Sequence, residues 1–257
     1  MIDISKGRYW DLPWSLVDGC TPCSPGCDHC WSAAMTGRFE CNQYLYPTQM
    51  TENRAFIGNI ILRPERLSIP LKRKKPAVYA VWNDLFHEDV SFQFQLQAWL
   101  VTERLHRHKF ILLTKRPKKM VYFYNTLHRR PPELSGLRVL DNIYNGLTVC
   151  NQQEMESKCS TFVMVPGKKF LSLEPLLSKV IIPPYVIEKQ LLSLVVLGGE
   201  TGPGARPMHP DWVRSVRDQC QAAGVPFFLK YANKKDGRVL DGRTHDDLPW
   251  IKQGALI

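Results

Sequence analysis

The sequence predicts an α/β chain folded as a partial (βα)6-type, TIM-like barrel with an extra C-terminal strand and a tail. Three observations predict it. Short runs rich in β-branched residues alternate with amphipathic stretches between Ala77 and Leu229. The apolar runs are continuous rather than alternating in polarity, the pattern of strands covered on both faces. Each run also ends in polar or charged residues, and in βα folds the loops after the strands carry the chemistry.

Taken in order, a first strand is expected at Trp14–Val17, just before a group of cysteines. Ala77–Trp82 reads as the next strand and Phe92–His106 as a helix, with Phe94, Leu96, Trp99, Leu100 and Leu105 as its apolar stripe. Phe110–Leu113, Ile143–Val149, Phe170–Leu173 and Leu191–Leu197 read as strands, with helices at Lys118–Leu127 and from about Asn151. Pro210–Ala223 is a helix stopped by Gly224, and Val225–Leu229 is the extra strand. Residues 1–232 are read as one barrel domain, with 38–75 as an insertion-like elaboration and 233–257 as a polar, turn-rich tail.

Lys+Arg number 34 against Asp+Glu 24, a net charge of +10. Basic residues cluster at Lys72–Lys75, at Lys115, Arg116, Lys118 and Lys119, at Arg129–Arg130, at Lys168–Lys169 and at Lys234–Lys235. Such a field attracts polyanions, so DNA or a nucleotide is the expected partner. Met1–Tyr9 lacks the apolar run of a signal peptide, and no stretch has the ~18 apolar residues of a membrane span. The expected location is therefore cytoplasmic, where crowded thiols read as a metal site rather than as disulfides.

Four of the eight cysteines fall within Cys20-Thr-Pro-Cys23-Ser-Pro-Gly-Cys27-Asp-His29-Cys30. Thiolates suit iron–sulfur clusters and zinc. A structural zinc site usually draws two separated pairs of ligands, whereas these four share one loop. Cys41, Cys150, Cys159 and Cys220 are scattered and read as ordinary thiols.

The spacing Cys23-x3-Cys27-x2-Cys30 resembles that of the radical S-adenosylmethionine (SAM) superfamily. A longer resemblance runs through Arg63-Pro-Glu-Arg-Leu67, Asp84-Leu-Phe-His-Glu-Asp89, Leu113-Thr-Lys-Arg-Pro117, Leu171-Ser-Leu-Glu-Pro-Leu176, Gly198–His209 and Asp241-Gly-Arg-Thr244. In these stretches the chain resembles a radical SAM family of phages and bacteria usually named only as phage proteins. The resemblance implies a [4Fe–4S] cluster held by three thiolates, SAM on its open iron, and an external electron donor such as flavodoxin or ferredoxin. Reduction would cleave SAM to a 5′-deoxyadenosyl radical that abstracts hydrogen from a substrate carbon. Superfamily spacing gives Cys23, Cys27 and Cys30 as ligands, and the family's position gives Cys20, Cys27 and Cys30. The family's position is preferred, so Cys20 is the expected third ligand, and Cys23 would be a neighbour, a spare ligand or a reactive thiol.

The resemblance also implies roles elsewhere. His29 stands where an aromatic residue lies near the adenine. Gly198-Gly199-Glu200 resembles the superfamily's SAM-binding Gly-Gly-Glu but follows a late strand, so it would meet SAM or substrate from the other side of the mouth. Asn83 and Asp84 fill the second-strand slot, and Asp84 or Asn83 is assigned to the SAM amino group. Thr114 and Lys115 follow a clean apolar strand, and Lys115 suits the SAM carboxylate or a phosphate. Ser172 and Glu174 share one side of a strand and suit ribose hydroxyls. Cys23, Lys115 and Glu200 are the candidate catalytic residues. The blander alternatives are a solvated Glu200 in a turn, a surface Lys115, and a Glu174 paired with an arginine. Asp89 is expected to cap a helix, and His106 and His108 to lie on the surface.

The expected reaction is modification or isomerisation of a hypermodified thymidine base in phage DNA, the base being flipped to the mouth. A lyase acting on damaged pyrimidines, as in the similar spore-photoproduct type, is the alternative. A zinc-stabilised nucleic-acid-binding module is the non-enzymatic one.

Overall fold

Strand after strand of this chain pairs with the one before it. The computed structural model describes residues 2–128, 139–188, 191–233 and 236–251. Strands β1 (Leu12–Pro13), β2 (Val78–Val81), β3 (Lys109–Thr114), β4 (Ile143–Thr148), β5 (Lys168–Leu173), β6 (Leu192–Gly198) and β7 (Phe227–Tyr231) form one seven-stranded sheet in sequence order. Every neighbouring pair is parallel. The sheet curls into a half-barrel of a mixed α/β fold.

The connections are α1 (Trp31–Phe39), α2 (Phe92–Arg104), α3 (Pro117–His128), α4 (Gln152–Phe162), α5 (Pro184–Ile187) and α6 (Pro210–Ala223). Their boundaries have local causes. The Ser91 side chain accepts from the Phe94 amide to start α2, and Asn151 accepts from the Glu154 amide to start α4. Gly224 ends α6 at φ 66°, a left-handed conformation that glycine adopts without strain. The cap of α2 is thus Ser91, two residues beyond the expected Asp89, because Ser91 is the residue in extended backbone just before the first helical turn.

The two faces of the sheet bury different partners. Phe110, Leu112, Leu147, Leu171, Val195 and Leu197 pack against Trp99, Phe123, Phe162 and Val216 of the helices. The other, concave face carries Val78, Ile111, Tyr144, Phe170, Leu194, Val196 and Phe228. Its lower part is filled by Tyr9 before β1 and by Leu248, Trp250 and Ile251 after β7. Phe170 is wholly buried there, a burial that stabilises by about 1.5–3 kcal/mol. It lies over Gly146, where a Cβ would come within 2.3 Å of its ring.

The structure corrects three sequence expectations. The first strand is Leu12–Pro13, and Val17–Asp18 pairs antiparallel with Ile61–Leu62 outside the main sheet. The carboxylate of Asp18 draws that segment aside, accepting from Arg63 Nε at 2.6 Å and from Arg66 Nη1 at 3.2 Å. The Arg63–Leu67 stretch therefore clamps the chain just before the cysteines. His108 is fully buried, because its Nδ1 accepts from the Ala77 amide and its Nε2 bonds the Pro70 carbonyl. His106 is exposed, as expected. The tail is not uniformly polar in its setting either, since Leu240, His245 and Leu248 are buried. Arg129, Arg130, Lys234, Lys235 and residues 252–257 lie outside the described residues. Among the described residues no helix is long and apolar enough to cross a membrane.

Candidate functional site

At the C-terminal ends of the strands the concave face opens into a cavity of about 230 Å3. Cys20, Cys23, Cys27 and Cys30 line one side of it. Asn83, Asp84, Thr114, Lys115, Ser172 and Glu174 line the rest, together with Trp10, Trp31, Trp82 and Lys230. Ten of the residues singled out in the sequence thus meet at one place, contributed by the loops after β1, β2 and β3 and by β5 and its end.

The cysteine loop is held from behind. Ser24 accepts from the Gly26 amide at 3.2 Å and starts the tight turn Pro25–Cys27. Gly26 is required by close approach: a Cβ there would stand 2.3 Å from the sulfur of Cys150 and 3.0 Å from the Pro175 ring. Cys150, at the end of β4, is buried and lies 3.5 Å from the Ser24 hydroxyl. It is a buried thiol, one of the two settings expected for it, and it forms the floor of the loop; burial pushes its pKa up to about 11.

Charge distinguishes Cys20, Cys23 and Cys27. The neighbouring Cys23 thiol, then the charge of Lys115 and the Cys23 and Ser24 amides, lower the Cys27 pKa to about 5, although burial opposes this. The Cys27 sulfur beside it, and then burial, raise the Cys23 pKa. Burial, with the Asp84 charge behind it, pushes Cys20 up to about 11 against the pull of Arg116. Cys20 donates weakly to the Thr21 carbonyl at 3.7 Å and accepts from Arg116 Nη1 at 3.9 Å. Burial disfavours the charge of Lys115, yet Cys27, Cys150, Cys30 and Cys23 around it raise its pKa above the usual lysine value. Lys115, half-buried in the cavity wall, is thus a cation facing the sulfurs rather than a surface lysine. Among the described residues no three His, Cys, Asp or Glu side chains stand in a ready metal-binding arrangement.

Asp84 is the hub of the next wall. Both its oxygens accept from the Thr114 hydroxyl, at 2.7 and 2.9 Å, and one also accepts from Arg116 Nη1 at 2.9 Å. The Phe86 amide adds a bond at 2.9 Å. Asn83, at φ 58°, donates to the Val17 carbonyl at 2.8 Å and accepts from Ser32 at 2.6 Å. Asn83 and Asp84 therefore brace the cysteine loop, and their side chains are already engaged. Arg116 completes the brace through the Glu88 carboxylate at 2.6 Å and the Thr21 carbonyl at 2.7 Å.

Across the cavity Glu174 accepts from Ser172 at 3.2 Å and from Lys230 at 2.6 Å. Its partner is a lysine, not an arginine. Gly198 lies behind this pair, and an added Cβ would meet Lys230 and Glu174 at 3.5–3.6 Å. Gly199 and Glu200 turn away into a separate concavity shared with Thr201–Met208. Glu200 is not a solvated turn residue: Arg206 binds its carboxylate with Nε, Nη2 and the backbone amide. Burial alone would raise its pKa, but these bonds hold it below the usual range. The same guanidinium reaches Asp28 at 3.1 Å and the Pro25 carbonyl at 2.7 Å. Glu200 thus meets the cysteine loop through Arg206. His29 is exposed and lies against Gly204, outside the cavity wall.

Arg206 and the three tryptophans are the site residues that sequence reasoning passes over, whereas Arg116, Cys150 and Lys230 follow strand-like runs and are legible as residues of the mouth without a role. Of the former, Trp31 carried a signal, since it follows Cys30.

No curated protein matches this chain, and no solved structure does. Residues 5–249 match the family model described as a protein of unknown function (DUF5131), and the chain belongs to that family.

Proposed function

We propose that this protein is a radical SAM enzyme whose half-barrel is a partial, TIM-like (βα)6 barrel with one added strand. The observation that carries the reading is that four thiols of one loop line a single cavity at the C-terminal ends of parallel strands, beside Lys115. Soft thiolates from one loop are the donor set that an iron–sulfur cluster takes. A [4Fe–4S] cluster with SAM bound supplies a 5′-deoxyadenosyl radical, fed by an external donor of the flavodoxin or ferredoxin class.

The chain's own residues then have these roles. Cys27 and Cys30 are ligands, and Cys23 is preferred as the third because Cys20 is turned to the Thr21 carbonyl and Arg116. Lys115 neutralises the sulfur-rich wall and would hold the SAM carboxylate. Ser172 and Glu174, fixed by Lys230, accept ribose hydroxyls. Asn83, Asp84 and Thr114 hold the loop, and Glu200 does so through Arg206. The proposed substrate is a thymidine base in DNA, supported by the net charge of +10.

Anaerobic reconstitution with iron and sulfide, followed by reduction and addition of SAM, tests the reading. 5′-Deoxyadenosine that disappears in Cys27→Ala is the expected result. Protein that takes up zinc, holds no iron and leaves SAM intact would instead favour a zinc-stabilised binding module.

A further inference from the structure

Three of the seven tryptophans stand at one rim of the cavity. Trp82 follows β2, Trp10 precedes β1 and Trp31 follows Cys30. Trp82 meets Trp10 at 5.5 Å and Trp31 at 5.0 Å, both edge to face. Trp31 remains 48% exposed. Trp10 and Trp82 are half-buried; edge-to-face packing leaves part of the indole surface unstacked, and exposed aromatic surface lining a cavity is the pattern of a ligand site. Arg8 lies over Trp10, its guanidinium carbon 5.5 Å from the ring centroid. A planar aromatic ligand with an attached anion matches this arrangement.

We propose that Trp10, Trp31 and Trp82 form a stacking subsite for a nucleobase, with Arg8 meeting the phosphate that the base carries. Aromatic faces hold bases in unpaired strands, and cations beside them hold the backbone. An aromatic peptide side chain carries no phosphate for Arg8. The subsite lies at the sheet edge near β2, whereas Ser172 and Glu174 belong to β5 and its end, so the two groups stand at different strands of the sheet. The inference deepens the proposed function by placing its substrate base, and it rests on that reading only for the choice of substrate.

The test is an equilibrium measurement on the full, iron-reconstituted chain without reductant or SAM, so its failure is distinct from failure of the radical chemistry. Fluorescence anisotropy of a labelled single-stranded oligothymidylate of about twelve nucleotides reads the affinity. Trp31→Ala and Trp82→Ala are each expected to weaken binding about 10-fold, the size of one lost base–aromatic stack. Trp31→Phe should recover most of it, with iron content checked in each variant. An abasic strand of the same length should bind the wild type as weakly as the intact strand binds the alanine variants. Arg8→Gln should lower the salt dependence, which the tryptophan variants leave unchanged. Competition by free thymidine monophosphate or by a duplex assigns the base to a nucleotide or to DNA. Unchanged affinity in both alanine variants, equal binding of the abasic strand, or no binding of strand, duplex or nucleotide overturns the proposal.

Discussion

Arg116 donates to Asp84 at 2.9 Å, with both side chains only 8% exposed. This pair joins the loops after β2 and β3 and, through the Thr21 carbonyl, fixes the start of the cysteine loop. Removing one partner of a buried pair leaves the other charge uncompensated, which costs about 3–5 kcal/mol. Arg116→Leu should therefore lower the unfolding free energy read from a urea titration by that amount. A change under about 1 kcal/mol, the size expected for an exposed pair, would show that solvent replaces the lost partner.

The cysteines are separable by counting iron. Cys27→Ala and Cys30→Ala should abolish cluster binding, and Cys23→Ala should do the same. Cys20→Ala should retain iron and sulfide. The opposite pattern for Cys20 and Cys23 would assign the third thiolate to Cys20.

Gly26 and Cys150 should show coupled effects. A Cβ at Gly26 meets the Cys150 sulfur at 2.3 Å, and overpacking of this kind costs about 1–3 kcal/mol. Gly26→Ala should lower the melting temperature, and adding Cys150→Ala should restore much of the loss. Additive losses in a double-mutant cycle would show that the two do not press on one another.

His108 predicts an acid-sensitive fold. Burial depresses its pKa below 6.5, and the charges of Arg107 and Arg73 act the same way. The unfolded chain then binds the proton more readily than the native one, so stability rises with pH across this window. The contribution is complete above the unfolded value near 6.5 and is lost as pH falls towards the depressed native value. Melting temperature should fall between pH 7.5 and 5.5, and by less in His108→Gln. Equal slopes in the two proteins would remove His108 as the cause.

Much of this protein is legible in its sequence because the causes are local. Pro210–Ala223 needs only a proline start, an apolar stripe at Val213, Val216 and Cys220, and Gly224 to stop it. The parallel strands show as unbroken apolar runs because both faces are covered, and the polar residues ending them mark the mouth. The cysteine spacing lies within one loop and needs no fold to be seen. What tertiary structure alone decided are the partners. Asp84 and Glu200 look in the sequence like free carboxylates, but Arg116 and Arg206 reach them across the fold. Cys150 becomes the floor of the cysteine loop only when β4 ends beneath it. Tyr9 and Leu248 fill the concave face from opposite ends of the sequence. Such pairings depend on which segments the curled sheet brings together, and no local pattern of residues encodes that.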